Sequence, residues 1–195
     1  MINTNQKSVC EKLSVDFKYL PDFAAQILHK EFDSFVSELL DNYERVDIPL
    51  MRFFAGMDSE RRRAIVMGST REMLALLATN QTKKYIELTI SNWLTNQLPH
   101  IAREQIDSQD ISLVNYIRGC VFRRFISTYS SDPGLQQKLV EEVQRFTVVL
   151  DSELFSSYLK LQKEEIHKIN DALQQREQQL LEAQEIGQVG SFEWD

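Results

Sequence analysis

Apolar side chains recur along this chain at intervals of three and four residues, the spacing that lays them along one side of an α-helix. From about Asp22 to Tyr43 the stripe comprises Leu28, Phe32, Phe35, Leu39 and Tyr43. Pro49 then admits a short helical turn carrying Met51, Phe53 and Phe54. Asp58 or Ser59 can cap the next helix, which runs to about Asn80, because a short polar side chain accepts from amides that a helix start leaves unpaired. Thr82 can cap a further helix through Leu98, with Ile86, Ile90, Trp93 and Leu94 on a common face and Pro99 at its end. Asp107 or Ser108 can cap a helix from about Ile111 to Tyr129, whose stripe is Ile111, Val114, Val121, Phe122, Phe125 and Tyr129.

The triplet Ser131-Asp132-Pro133 predicts another helix start. Aspartate stands at the cap, and proline at the first helical position, where its missing N–H costs nothing. Beyond Gly134 neither proline nor glycine occurs until Gly187, a run of about 52 residues, or roughly 78 Å if helical throughout. A domain of this size cannot bury so long a helix, so its second half is expected to project. There Leu159, Ile166, Leu173 and Leu180 recur every seven residues, while the positions three later are Gln162, Ile169, Arg176 and Ala183. One regular and one mixed heptad position predict a weak parallel two-stranded coiled coil, hence a homodimer through Leu159, Ile166, Ile169, Leu173 and Leu180. A loosely specified seam can hold two arrangements of similar energy, which suits a relay. The other reading of this segment is a single solvated helix held by charge pairs.

Composition narrows the class. Six glycines and four prolines are too few for a turn-rich β architecture, so the fold is expected to be all-α. With 43% hydrophobic and 26% charged residues, a core large enough to fold alone is available. A formal charge of −7 argues against nucleic acid, which needs clustered cations. The best basic cluster, Arg61, Arg62 and Arg63, reads as a solvated helix face. Cys10 and Cys120 form no CxxC pair, which fits a reduced, cytoplasmic setting. The start lacks the pattern of a signal peptide, and the most apolar stretch, Met73 to Ala78, is too short for a membrane span.

The final residues carry the most specific pattern. Ala183, Gln184, Ile186, Gly190, Phe192, Trp194 and Asp195 fit the form AQ-x-I-x-x-x-G-x-[WF]-x-[WY]-D, behind a helix rich in Glu and Gln. The segment resembles the opening of a PAS domain. Gly187 and Gly190 suit a helix end, and Phe192 and Trp194 alternate with polar neighbours as a strand does. Residues from about Leu20 to Ile166 resemble the N-terminal sensor domains of the RsbR and RsbRD type, globin-like helical folds usually without haem. Trp93, the stretch from Leu98 to Asp132 and a last helix feeding into a linker carry that resemblance.

Together the resemblances imply an all-α, globin-like bundle with a coiled-coil connector that ends at the first strand of a PAS domain. Residues 1–20 would be an N-terminal helical extension, 21–158 the sensor bundle, 159–186 the signalling helix and 187–195 the start of the PAS domain. The implied role is a cytoplasmic input and dimerisation module of a bacterial signalling protein. It would relay a shift induced by a small ligand or a protein partner to PAS and histidine kinase domains in cis. The other readings are a haem-binding gas sensor and a ligand-free scaffold.

Candidate chemistry is sparse. There is no phosphate loop, GxSxG or HExxH motif, so this chain is not expected to be an enzyme. His167 follows Glu164 and Glu165 and reads as an exposed linker residue. His100, after Trp93 and Pro99, is the one position where an imidazole could ligate haem, although no cofactor is expected. Arg118 falls inside the apolar stripe of its helix at 100° per residue. An arginine there cannot shed its charge, so it needs an internal carboxylate, a path to the surface, or an anionic ligand. Arg118 and Trp93 are therefore the candidate ligand-binding residues. Met51, Phe53, Phe54, Met57, Met67 and Met73 read as core.

Overall fold

A computed structural model describes residues 15–46, 48, 51, 54, 56–95 and 108–191, with the backbone alone for Leu94 and residues 186–191. The described residues are helical and contain no strand, so the fold is all-α. The chain divides into two compact units, Met1–Phe155 and Ser156–Asp195.

Among the described residues of the first unit, Val15 to Tyr19 lie outside any helix; residues 1–14 of the expected N-terminal helical extension lie outside the described residues. Helix α1 (Leu20–Gln26) passes through a π-helical turn (Ile27–Glu31) into α2 (Phe32–Val46). The α-periodic stripe expected from Asp22 to Tyr43 is thus interrupted. In an unbroken α-helix, Phe23 and Phe35 would point about 120° apart; the extra residue of a π turn brings them to within about 20°. Both rings meet Phe122, at 6.1 and 5.0 Å. The π turn keeps one core face across two helical segments.

Helix α3 (Ser59–Ala78) starts as expected, with the Asp58 carboxylate accepting from the Arg61 amide at 2.8 Å. It closes with Asn80 at φ 53°, the Asn80 amide donating to Leu77 O and the Gln81 amide to Leu76 O, the Schellman arrangement. That closure places Gln81, not Thr82, at the cap of α4 (Thr82–Leu94), and no side-chain cap bond forms. Thr82 is instead the first helical residue, with its side chain buried. Helix α4 ends at Leu94, short of the expected Leu98, where the Thr95 amide and hydroxyl both bond to Ser91 O. Helix α5 (Ser108–Tyr129) begins three residues before Ile111.

Helix α6 (Pro133–Ser191) starts where the Ser-Asp-Pro triplet places it, with the Asp132 carboxylate accepting from the Gly134 amide at 3.0 Å. Gly187 and Gly190, expected to end it, are helical instead, and neither has positive φ. An interior glycine costs about 1 kcal/mol relative to alanine, too little to stop a helix already propagating over most of 59 residues. The expected strand at Phe192 and Trp194 lies outside the described residues.

The core of the first unit centres on Phe122, which also meets Phe146 of α6 at 6.3 Å. Leu139, Val143, Phe146, Val149, Leu150 and Leu154 bury one side of α6 there. Gly119 of α5 lies where a Cβ would stand 3.1 Å from Thr147 Oγ1 of α6, so the two helices cross closely. In the second unit, Leu159, Ile166, Ile169, Leu173 and Leu180 are 46–63% exposed, and His167 is exposed.

Candidate functional site

Residues of helices α2, α3 and α5 and of the segment joining α2 to α3 line a half-open cavity of about 120 Å³. Ile48, Met51, Phe54, Ile65, Val66 and Val114 supply apolar walls; Tyr43, Arg62, Ser69 and Arg118 supply the polar groups. The sequence places two of these groups in clear ways. Tyr43 ends the stripe of α2, and Arg118 interrupts the stripe of α5. Both therefore turn inward where those two helices pack together.

Arg118 is half-buried. Its Nη1 donates to the Tyr85 hydroxyl at 3.3 Å, and the Tyr43 hydroxyl is a second partner. Among the described residues no carboxylate pairs with it; of the three readings, the internal salt bridge is absent there, and its partners are two phenols. Burial works against its charge, and the Tyr85 and Tyr43 hydroxyls outweigh that, leaving its pKa above the ordinary arginine value. Burial pushes the Tyr43 phenol up, and the neighbouring guanidinium offsets only part of the rise.

Arg62 corrects the reading of Arg61 to Arg63 as a solvated face. Arg61 is exposed. Arg62 instead pairs with Glu44 at 3.0 Å and donates to the Phe54 and Met57 carbonyls. Arg63 donates to Ser37 and lies 3.5 Å from Asp33. The reason is geometric: long arginine stems on α3 reach the polar side of α2 while covering apolar surface.

Trp93 is buried but does not line the cavity with Arg118, so the two candidate residues are not brought together. His100 and Phe53 lie outside the described residues. Met73 is in the core and Met67 packs at its edge, as expected; Met51 and Phe54 face the cavity, and Met57 is half-buried outside the core cluster. Among the described residues no group of three His, Cys, Asp or Glu side chains could hold a metal ion, and no helix is long and apolar enough to cross a membrane. No protein-family model, curated protein or solved structure matches the chain.

Two features escaped the pattern of the sequence. Tyr85 connects the cavity to α6: it bonds Arg118 on one side, and its ring lies 6.2 Å from that of Phe146. Glu142, on the buried side of α6, accepts from the amides of Lys18, Tyr19 and Leu20 at 2.9, 2.9 and 2.7 Å. Helix α1 has no side-chain cap of its own, so α6 supplies one from the far end of the chain. The signal for Glu142 was present. It stands three residues after Leu139 and four before Phe146, a charge within an apolar stripe, as Arg118 is.

Proposed function

We propose that this chain is the sensory input and dimerisation module of a signalling protein, relaying a change in bundle packing through its last helix to PAS and histidine kinase domains that follow in cis. The observation that carries the reading is the composition of α6. One helix, Pro133–Ser191, is a core element in its first part and bears exposed leucines and isoleucines at heptad spacing in its second. A soluble chain seldom leaves such a row uncovered, and a second copy of the same helix would cover it with matching side chains.

Its core part is well placed to feel a ligand or partner. Arg118, Tyr85 and Phe146 form a chain of contacts from the cavity to α6. Glu142 ties the same helix to the start of α1. A change in packing at either place favours one position of α6 over another, and a coupling of roughly 1–3 kcal/mol changes an output several-fold to about a hundredfold. The resemblance of Ala183 to Asp195 to the opening of a PAS domain supports the direction of the relay.

The test is Leu173→Asp. Light scattering should give dimers for the parent chain and monomers for the variant, with helical circular dichroism preserved. Unchanged dimers would remove the exposed half of α6 as the interface.

A further inference from the structure

We propose that the cavity between α2, α3 and α5 binds a small monocarboxylate with a compact apolar body, its carboxylate seated on Arg118. The inference deepens the input-module reading by giving the input a chemistry. It takes only its biological meaning from that reading, since binding is measured apart from dimerisation.

Charge selects the ligand first. Among the described residues the two guanidiniums at the cavity differ. Arg62 is matched by Glu44 at 3.0 Å and by two backbone carbonyls. Arg118 faces only the neutral hydroxyls of Tyr85 and Tyr43. A guanidinium has five N–H donors in a planar fork that fits a carboxylate with two parallel bonds, and two phenols leave donors over. One negative charge completes Arg118. A dianion such as a phosphate monoester would bring a second charge that, among the described residues lining the cavity, only Arg62 could meet, and Arg62 is already paired with Glu44.

Shape and lining select the rest. Six apolar side chains form the walls, so the part of the ligand beyond its carboxylate is apolar. The volume is about 120 Å³, close to the roughly 150 Å³ of an apolar cavity that accepts benzene. A single ring or a short branched chain fits that volume. Ser69 and Tyr43 add hydroxyls at the lining, so the carboxylate oxygens have further donors within the cavity.

Titration calorimetry on the full chain with benzoate, benzamide and phenyl phosphate decides the matter. Benzoate should bind saturably, with benzamide, which lacks the charge-assisted bond, and phenyl phosphate, which brings a second charge, each weaker by roughly tenfold or more. Val114→Trp, which fills the cavity and keeps Arg118, should abolish benzoate binding, and Arg118→Met should do the same. Should Arg118→Met fail to fold, the three probes on the parent chain and the Val114→Trp variant still decide. Benzamide binding as tightly as benzoate overturns the proposal. So does benzoate binding that survives Val114→Trp, or a chain that binds neither benzoate nor the branched isovalerate. A Leu173→Asp monomer that still takes up benzoate supports the site, and a dimer that takes up neither carboxylate overturns the site alone.

Discussion

Glu142 gathers three consecutive backbone amides on one carboxylate, at 2.7–2.9 Å and 8% exposure. Removing it strands those donors at the start of α1, and each stranded donor weighs more than a hydrogen bond ordinarily contributes. Glu142→Ala should therefore lower unfolding free energy in urea by roughly 2–4 kcal/mol, and Glu142→Gln, which keeps one accepting oxygen, by about half as much. Tyr43 gives a second measurement. Its buried phenol titrates above the ordinary 10.0. The unfolded chain releases that proton near 10 while the folded chain holds it. The contribution is thus intact below pH 10 and is lost as pH rises towards the folded value. Urea unfolding at about pH 9 and about pH 11 should show a smaller drop for Tyr43→Phe than for the parent chain. Arg118 and Glu142 were open to the same inference, because a charge inside an apolar stripe stands out at 100° per residue. Tyr85 was not, since it precedes Ile86 on a face that reads equally well without it. Only the arrival of α5 beside α4 makes its hydroxyl a partner for Arg118.

Helix starts marked by an aspartate were the most legible elements. Asp58 and Asp132 act through bonds to amides two or three residues away, so their chemistry is written locally. Helix ends were less so. Thr95 stops α4 before Leu98, and α6 continues through Gly187 and Gly190, because neither residue type carries a strong stop without its surroundings. The π turn at Ile27–Glu31 escaped for another reason: it is defined by which face must stay on Phe122, and that is settled by other helices. Gly119 is the element-scale counterpart. Thr147 cannot easily retreat from it, since its hydroxyl is bonded to Val143 O at 2.9 Å within its own helix. Gly119→Val should push α5 and α6 apart and lower the melting free energy by roughly 1–3 kcal/mol, the usual range for overpacking. Calorimetric unfolding checks the loss.

Across the whole molecule, the all-α class was legible from the scarcity of breakers, and the last helix from one cap and a long silence of glycine and proline. The cavity was not, because it is made from α2, α3, α5 and a connecting segment that meet only after folding. The exposed row from Leu159 to Leu180 was legible as a heptad, and light scattering of Leu173→Asp reads its purpose at this scale. Helix α6 contributes residues to both compact units. Selection acting on the interior of the first and on the surface of the second therefore bears on one hydrogen-bonded ladder. Substitutions at Phe146 or Leu150 therefore bear on both, and α6 should tolerate the least change where it leaves the interior.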